Sequence, residues 1–572
     1  MKRLLILFSI IIFACSDVCF GQGGEIKTKR TDTAYNQGSN IVFSELTDQL
    51  SENLDLLGRV WGFLKYHHPA IAQGKYNWDY ELFRMLPGYL QVPNQKERDA
   101  YLVKWIQHYG RISANKKVVP VDSNAVLKPD LRWINPAQLS PKLYNLLMKV
   151  YENRWQKNNY YVVADVFNAN NAKFIHEESY DNMYYPDAGF RLLALYRYWN
   201  MVQYFFPYRN LTDTDWNLVM RECLPSFLDA SDTLEYINAC KRLIAKCDDT
   251  HGGLYSESMM PYHKYFRTPF DVRFLHNDTL VVGSYRNPEK IDNSGPKIGD
   301  VITHINHLSV QQLVDSLAPL VAASNHQAKL RKISSIITSG WEDSVCISFV
   351  SQGIIKESTI PRFSFYDLNY VGTSDGLCYR VIDDSIGYIS MDDLTAEIIK
   401  TLSDTLQHTK GLIIDLREYP QKVFGNSLSP IISNQSISFA QCSKPIIENP
   451  GAFGRKSSSY TVKGKKYYTG RIVILVDENT QSQSEFCAMS FRTNPKSVVI
   501  GNTTAGADGN VTSITLPGGI QTYFSGLGVY YPDGTETQRV GIIPDIYVWP
   551  TVRGIREGRD EILEKALEIL SE

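Results

Sequence analysis

The last third of the chain alternates short apolar runs with helical segments, and this pattern limits the fold more than any other feature. The runs "GLIIDL" (411–416), "RIVILVD" (471–477) and "SVVIG" (497–501) are separated by segments with helical character, such as "TAEIIKTLSDTLQ" (395–407). Strands that are apolar along their whole length are buried on both faces, which is typical of a parallel sheet covered by helices. We therefore predict a multi-domain α/β protein whose α/β core lies at residues 375–552.

An internal repeat lies in the N-terminal half of the chain. Two stretches align without a gap at a constant offset of 138 residues, so that Trp61 corresponds to Trp199 and Trp78 corresponds to Trp216. Such a repeat predicts a duplicated helix–loop–helix unit whose aromatic side chains pack in a core.

The segment at 265–362 has β-strand character and interrupts the helical pattern. Short β-type runs flank the stretch "SGPKIGDVITHINHLSVQQLVDSL", in which a Gly299-Asp300 turn, an apolar run and a helix starting near Ser309 resemble a PDZ-type module. Modules of this type add an extended peptide to a sheet edge, which predicts peptide or protein partners bound through an extended C-terminal segment. The predicted divisions are a signal peptide (1–21), an N-terminal helical domain with the first repeat copy (43–165), a helical segment with the second copy (186–262), a PDZ-like domain (265–362), an α/β core (375–552) and a C-terminal helix (553–572).

The N-terminus has the composition of an export signal. Met1-Lys2-Arg3 precedes the apolar stretch "LLILFSIIIFA", which is short for a membrane span. Cleavage after Gly21 would release a periplasmic or extracellular protein, and this is the outcome that we favour. The alternative is a loose lipoprotein box ending at Cys15, whose lipidation would anchor the protein in the outer membrane.

Charge, cysteine spacing and the repeat argue against two classes of function. The net charge is −2 and no run is rich in Lys or Arg, so the sequence predicts no nucleic-acid partner. The cysteines match no zinc-binding spacing, and we predict neither a metal nor a cofactor. A metal-dependent hydrolase built on His67, His68 and His251 is the weakest alternative, because the repeat has Phe205-Phe206 where His67-His68 stand.

The stretch "VDENTQSQSEFCAM" (476–489) places two serines where an apolar strand passes into a helix. Ser482 and Glu485 form the pattern of a capping box, in which both side chains satisfy unpaired N–H groups at a helix start. The same position suits a nucleophile, because the N–H groups of a new helix point to where an oxyanion would form. The local sequence is compatible with both roles. We expect Ser484 to be a solvent-facing helix or cap residue.

Several further segments resemble the tail-specific (C-terminal processing) serine peptidases. "T-x-S-x-x-E" after an apolar strand resembles their active-site segment, "GLIIDLR" an earlier strand, "GNTTAGADG" a Gly-rich turn and "YYPDGTETQRVGIIPDI" their closing segment. "SGPKIGDVITHIN" resembles their PDZ insertion, and "DDTHGG" resembles an upstream segment that contains a histidine. The matches follow the family's order from about residue 186 to residue 550. The resemblance implies a hydrolase with serine-type peptidase activity.

The resemblance also implies which residue is the general base. One branch of the family uses a lysine in the Gly-rich turn, but this chain has "AGAD" (505–508) there and no lysine between Lys496 and Lys565. The other branch, which includes the tricorn core protease and the retinoid-binding repeats, uses a histidine before the PDZ module. Here that residue is His251. Imidazole can accept the serine proton and return it to the leaving amine.

The tricorn-type arrangement adds a hydroxyl beside the histidine and a carboxylate near the C-terminal "G-x-x-PD". Thr250 supplies the hydroxyl, whereas Gln538 stands where we align the carboxylate, so it can orient the imidazole by a hydrogen bond but not by charge. The first oxyanion donor would be the backbone N–H of Gln483. The second is unassigned, because the stretch after "GLIIDLR" has no glycine before Gly425 and Pro420 has no N–H.

The sequence therefore predicts an exported serine endopeptidase that hydrolyses peptide bonds through an acyl-enzyme, with Ser482 as nucleophile and His251 as general base. The alternative is a non-catalytic peptide- or small-ligand-binding protein on the same fold, which Gln538 and the missing glycine favour. Glu536 is close to Gln538 in sequence and is an alternative source of the carboxylate.

Overall fold

The computed structural model describes residues 32–572 except 116, 257–265, 370–377, 393, 407, 422–427, 433–436 and 463–467. The predicted signal peptide, with Cys15 and Gly21, and the glycine at position 425 lie outside the described residues. Within the part of the chain that the structure describes, no helix is both long enough and apolar enough to cross a membrane. No disulfide joins the cysteines in this part of the chain.

The first half of the chain forms a helical layer around the two copies of the repeat. Its elements are α1 (Asp48–His67), α2 (Trp78–Tyr89), α3 (Gln95–His108), α4 (Pro141–Glu152), β1 (Val162–Asp165), β2 (Asn171–Phe174), α5 (Ala188–Phe205), α6 (Trp216–Leu228) and α7 (Thr233–Ala245). Each helix begins at an Asn, Asp, Ser or Thr whose side chain accepts a backbone N–H. α5 is buried along almost its whole length, which makes it the centre of this layer.

The two copies of the repeat share a reciprocal pair of tryptophan hydrogen bonds. In the first copy, Trp61 Nε1 donates to the Trp78 carbonyl at 3.0 Å, and Trp78 Nε1 donates to the Trp61 carbonyl at 2.9 Å. In the second copy, Trp199 and Trp216 make the same two bonds at 2.8 and 3.0 Å. All four rings are buried, so each indole N–H finds a partner on the facing helix. These aromatic residues therefore pack the core of the repeat.

A separate antiparallel sheet follows the helical layer, and we call it the β-rich unit (270–361). Its elements are β3 (Phe270–Phe274), β4 (Leu280–Tyr285), β5 (Val301–Ile305), β6 (Leu308–Ser309), α8 (Val310–Leu317), α9 (His326–Ser334), β7 (Ser344–Ser351) and β8 (Ile354–Pro361). The strand order is β3-β4-β5-β7-β8, and β6 pairs with β5. Ser309 caps α8 by accepting the Gln312 N–H at 3.2 Å. The identity of this unit as a PDZ module stays a prediction.

The α/β core contains the predicted alternation of strands and helices. Its elements are β9 (Tyr379–Ile382), β10 (Ile386–Ser390), α10 (Ala396–Leu406), β11 (Gly411–Asp415), α11 (Ser429–Ile432), β12 (Ile437–Pro445), β13 (Phe453–Val462), β14 (Arg471–Val476), α12 (Gln483–Phe491), β15 (Ser497–Gly501), β16 (Val511–Leu516), β17 (Ile520–Ser525), β18 (Gly528–Tyr530), β19 (Ile546–Tyr547), α13 (Val552–Glu557) and α14 (Glu561–Ser571). The central sheet has the order β19-β15-β14-β11-β10-β9 and is parallel except for β9. α10 and α12 pack on one face and α14 packs on the other. The predicted α/β class is confirmed.

The hairpin of β16 and β17 leaves the α/β core and packs against the helical layer. Apolar side chains from both of its strands belong to the same buried cluster as the helices: Ile514, Leu516, Ile520 and Phe524. Tyr236 of α7 also donates a hydrogen bond to the carbonyl of Pro517, in the turn of the hairpin, at 2.8 Å. The boundary predicted at residue 375 therefore separates the helical layer from the α/β core in sequence, but the hairpin packs the two together in space.

Candidate active site

Three segments meet at one edge of the central sheet. β11, β14 and β15 are adjacent and parallel, so the segments after their carboxyl ends lie together. Thr480 joins these segments, because its hydroxyl donates to the Leu416 carbonyl at 3.0 Å and its carbonyl accepts the Ala505 N–H at 2.9 Å. The turn that leads into Ser482 is thus fixed from both sides.

Ser482 is the N-cap residue of α12 and has an unusual backbone conformation. Its φ of 56° and ψ of −117° lie outside the regions that L-residues normally occupy. Such a conformation costs about 1–3 kcal/mol and persists only where the surroundings impose it, which is common at functional sites. Here the Ser482 N–H donates to the Ala507 carbonyl at 3.0 Å, and the Ser482 hydroxyl donates to the Gly509 carbonyl at 3.4 Å.

Glu485 holds the Gly-rich turn against the start of α12. Its buried carboxylate accepts hydrogen bonds from the N–H groups of Ser482 (3.1 Å), Gly506 (2.8 Å) and Ala507 (3.0 Å) and from the Thr504 hydroxyl (2.6 Å). Burial raises the pKa of Glu485, and these four donors act in the opposite direction. The carboxylate thus completes its half of the predicted capping box and also fastens the turn around Ser482.

Replacing Glu485 with alanine is expected to destabilise the α/β core by about 3 kcal/mol, because four buried donors would lose their acceptor. For a domain of this size the unfolding transition would fall by roughly 6–12 °C in thermal melts followed by circular dichroism. Glu568→Ala is the matched control, since its side chain is 59% exposed and pairs with Lys565 on the surface. Equal melting temperatures for the two variants would contradict the conclusion that Glu485 stabilises the Gly-rich turn.

The expectation that Ser484 faces solvent is wrong. Ser484 is fully buried, and its hydroxyl has no hydrogen-bond partner among the described residues. The reason is that α12 is buried almost all round, between the central sheet and the segments that cover the sheet edge. A fully buried hydroxyl is closed to a substrate, so Ser482 is the better candidate nucleophile of the two.

His251 follows α7 and is held through its Nδ1 atom. Nδ1 lies 2.9 Å from the Ser525 hydroxyl and 3.5 Å from Oδ1 of Asp249. Asp249 also accepts hydrogen bonds from the N–H and hydroxyl of Ser525, at 2.6 and 3.1 Å, and from the N–H of His251 at 3.0 Å. Nε2 of His251 is buried and has no hydrogen-bond partner in the described structure. It is therefore the nitrogen that remains for proton transfer.

Asp249 is the carboxylate that faces the imidazole. Burial by itself would raise its pKa, but the hydrogen bond and charge of His251 and the N–H of Ser525 hold that pKa below its usual value. Asp249 is therefore ionised at neutral pH and can stabilise an imidazolium. The motif "DDTHGG" contained this residue, but the sequence analysis assigned it no role. Ser525 carried no local signal, because it lies 274 residues from His251 in sequence.

The β16–β17 hairpin links the two predicted catalytic residues. Ser525 pairs with Val511 across the hairpin, and Val511 comes two residues after Gly509, which accepts the hydrogen bond of Ser482. Ser482 and His251 thus contact neighbouring points of one hairpin. They are not hydrogen-bonded to each other in the part of the chain that the structure describes.

Thr250 and Gln538 meet at Ser324 and not at the imidazole. The Ser324 hydroxyl accepts the Thr250 N–H at 2.9 Å and Nε2 of Gln538 at 3.3 Å. The Thr250 hydroxyl accepts the Ser324 N–H and donates to the Ala505 carbonyl, both at 2.9 Å. These bonds fasten the backbone beside His251 to the Gly-rich turn. The catalytic roles predicted for Thr250 and Gln538 stay predictions, since neither side chain hydrogen-bonds to the ring in the described structure.

Lys332 of α9 holds the same segment from the β-rich unit. Its buried Nζ donates to the carbonyls of Thr250 (2.6 Å), Gly252 (2.7 Å) and Ala322 (2.7 Å). Burial lowers the pKa of Lys332 to about 7. The β-rich unit is therefore hydrogen-bonded to the backbone on both sides of His251.

His67 and His68, the residues of the metal-dependent alternative, lie in the helical layer. The His67 ring stacks on Phe63 with centroids 4.5 Å apart, and its Nδ1 lies 2.8 Å from the Phe63 carbonyl. Burial lowers the pKa of His67 to about 3 and that of His68 to about 4. Both rings therefore pack as neutral side chains, like the Phe205-Phe206 pair that replaces them in the repeat.

Comparisons with known proteins agree with this geometry. Residues 385–548 match the model of peptidase family S41. This chain carries the α/β core of peptidase family S41. The match confirms the predicted tail-specific family for this core and supports a serine-type peptidase of the hydrolase class.

Mature CPAF is a solved structure that shares the fold of this chain at low sequence identity. Mature CPAF aligns with 67% of this chain and 96% of its own, at 12% identity and a TM-score of 0.54. The photosystem II D1 C-terminal processing protease aligns with 67% of this chain and 97% of its own, at 15% identity and a TM-score of 0.40. No curated protein matches the sequence.

Proposed function

We propose that this S41 peptidase is an exported serine endopeptidase in which Ser482 is the nucleophile and His251 is the general base. The observation that carries the proposal is the strained backbone of Ser482 at the junction of β14 and α12. The strain aims the hydroxyl away from the helix while the N–H groups at the helix start stay available to an oxyanion. The basic and apolar leader of the sequence supports export.

In the proposed reaction, Ser482 Oγ attacks the carbonyl carbon of the scissile peptide bond and Nε2 of His251 accepts the hydroxyl proton. Collapse of the tetrahedral intermediate breaks the C–N bond, and the imidazolium gives its proton to the leaving amine. Water then attacks the resulting ester and loses a proton to the same nitrogen. Collapse of the second tetrahedral intermediate breaks the bond between the acyl carbon and Ser482 Oγ, and the imidazolium returns the proton to Oγ as the peptide acid leaves. Asp249 stabilises the imidazolium that exists between these steps. The backbone N–H of Gln483 binds the oxyanion.

The substrates are peptides or proteins, and the β-rich unit would receive an extended C-terminal segment of them. The contact of Lys332 with the carbonyls beside His251 supports a link between this unit and the catalytic site. Addition of an extended peptide to a sheet edge supplies backbone hydrogen bonds that do not depend on sequence.

Labelling with a fluorophosphonate probe tests the proposal. An activated serine forms an O–P bond with the probe and releases fluoride, whereas an ordinary serine does not react. We expect the purified protein to be labelled at neutral pH, mass spectrometry to locate the adduct on Ser482, and EDTA to leave the labelling unchanged. Failure of the folded protein to react between pH 5 and 9, or an adduct on another residue, would overturn the proposal.

The second candidate function is a peptide-binding protein without catalysis. One observation favours it: the Ser482 hydroxyl bonds to the Gly509 carbonyl and not to His251. This candidate predicts that the protein binds C-terminal peptides in fluorescence anisotropy but reacts with no fluorophosphonate. Labelling at Ser482 would exclude it.

A further inference from the structure

Three side chains of types that commonly bind metals lie together at the surface of the β-rich unit. They are His307, Cys346 and Glu357, whose ring nitrogen, sulfur and carboxylate oxygen all lie within 4.8 Å of one another. His307 and Glu357 are exposed and Cys346 is half-buried, so an ion in solution can reach the group. None of the three belongs to the proposed catalytic site.

A tight turn holds His307 beside β7. Asn306 and His307 are the two residues that connect β5 to β6, and both have a positive φ, of 47° and 66°. This is the conformation of a type I′ hairpin turn. Asn306 fastens the turn to Cys346, because its N–H donates to the Cys346 carbonyl at 2.8 Å and its Oδ1 accepts the Cys346 N–H at 3.1 Å. The backbones that carry His307 and Cys346 are therefore fixed relative to each other.

The pairing of β7 with β8 places Cys346 and Glu357 on the same face of the sheet. Cys346 pairs with Thr359 and Ser348 pairs with Glu357, so the two metal-binding side chains are diagonal neighbours within reach of each other. The residues of β7 that alternate with Cys346 point into the apolar core of the unit, so this face is the outer one. The Ser348 hydroxyl donates to Oε2 of Glu357 at 3.1 Å and orients its carboxylate.

The combination of donor atoms favours Zn²⁺ over other common divalent ions. Zn²⁺ binds thiolate, imidazole and carboxylate, and sites with three protein ligands keep a fourth position for water. Mg²⁺ and Ca²⁺ prefer shells made of oxygen atoms. Bonds of about 2.0–2.3 Å in a tetrahedral site place the donor atoms about 3–4 Å apart. Small rotations of three side chains at the surface are enough to bring these donors from within 4.8 Å to that spacing.

We propose that His307, Cys346 and Glu357 bind one Zn²⁺ ion at the surface of the β-rich unit, with water in the fourth position. Cys346 gives its proton to the solvent when the S–Zn bond forms. The bound ion links the β5–β6 turn to β7 and β8, so it stabilises this unit and takes no part in peptide hydrolysis. Cysteine spacing could not indicate the site, because each ligand comes from a different segment.

Metal titrations of the purified, untagged protein test the site, after metal removal with EDTA and under a phosphine reductant. We expect calorimetry to give one Zn²⁺ per chain, and Co²⁺ to give the near-ultraviolet absorption band of a cobalt–thiolate bond, which Zn²⁺ then removes. Cys346→Ser should abolish this band. Cys346→Ser and His307→Ala should each weaken Zn²⁺ binding by at least about 100-fold, because even the loss of a group that only orients a ligand costs about 10–100-fold.

His326→Ala is the matched control. His326 lies at the start of α9 in the same unit and pairs with the carboxylate of Asp278 at 2.9 Å, so it tests whether a surface histidine beside one carboxylate is enough to bind the ion. We expect this variant to bind Zn²⁺ as wild type does. At free Zn²⁺ of about 100 times the dissociation constant, thermal melts should rise by at least about 5 °C in both proteins and should not rise in Cys346→Ser.

The outcomes are independent of the proposed function. The site is refuted if folded, reduced wild type binds no Zn²⁺. It is also refuted if binding is unchanged in Cys346→Ser and His307→Ala, or if His326→Ala loses binding as they do, because the ion would then lie elsewhere. Fluorophosphonate labelling of Ser482 should be the same for the Zn²⁺-loaded and the EDTA-treated protein. A protein that binds Zn²⁺ through Cys346 but is not labelled would support the site and overturn only the proposed function.

Discussion

Replacing Ser482 with alanine is expected to lower kcat for peptide hydrolysis by about 10⁶-fold and to abolish fluorophosphonate labelling. The substitution removes the only atom that can form the acyl bond in the proposed mechanism. Binding of peptide to the β-rich unit would be unaffected, so KM or the dissociation constant should stay close to that of wild type. Steady-state kinetics on a chromogenic peptide substrate measure the loss.

Ser484→Ala is the matched control for this experiment. It removes a hydroxyl that is two residues away, fully buried and without a hydrogen-bond partner in the described structure. Its stability should stay within about 0.5 kcal/mol of wild type, because no buried partner loses a hydrogen bond. Full activity is expected. Loss of labelling in Ser484→Ala, with labelling retained in Ser482→Ala, would show that the assignment of Ser482 as the nucleophile is wrong.

Replacing Asp249 with asparagine is expected to lower kcat by about 10³–10⁴-fold. The amide keeps the shape of the side chain but cannot stabilise an imidazolium by charge, and its NH₂ group would favour the wrong tautomer of His251. KM should change little, because Asp249 is buried behind the ring and does not reach solvent. Kinetics with the same peptide substrate, together with circular dichroism as a folding check, measure the effect.

The Gln538→Ala variant tests whether Asp249 or Gln538 is the residue that supports His251. Gln538 donates to the Ser324 hydroxyl at 3.3 Å, and that hydroxyl also accepts the N–H of Thr250, the residue before His251. Its loss is therefore expected to lower kcat by less than about tenfold, since only the position of the backbone beside His251 would change. If Gln538→Ala lost more activity than Asp249→Asn, the assignment of Asp249 as the carboxylate of His251 would be wrong.

The sequence alone predicted the α/β class, the parallel central sheet and the start of α12 at Ser482. These features depend on local patterns: continuous apolar strands are buried on both faces, and a Ser-x-x-Glu pattern marks a helix start. The order of short motifs was enough to predict the family, because each motif keeps its residue types within one segment. The repeat could also be predicted from the sequence, since Trp61 and Trp199 are separated by the same offset as Trp78 and Trp216.

The tertiary structure decided which groups contact His251. Asp249 is near in sequence, yet the same segment offers Asp248, Asp249 and Thr250, and only the packing of the loop selects Asp249 to face the ring. Ser525 comes from a hairpin that leaves the α/β core to pack on the helical layer, so no sequence spacing could place it there. Gln538 was aligned by its position in a motif, but Ser324 of the β-rich unit holds its side chain away from the imidazole.

The burial of Ser484 was also decided by tertiary contacts. A Ser-x-Ser pair at a helix start looks the same whether the helix is open to water or covered, and here the covering segments are distant in sequence. The sequence determined which elements form, because their patterns are local. The pairing and packing of those elements decided the surroundings of Ser482 and His251, because their contacts come from parts of the chain that no local pattern relates.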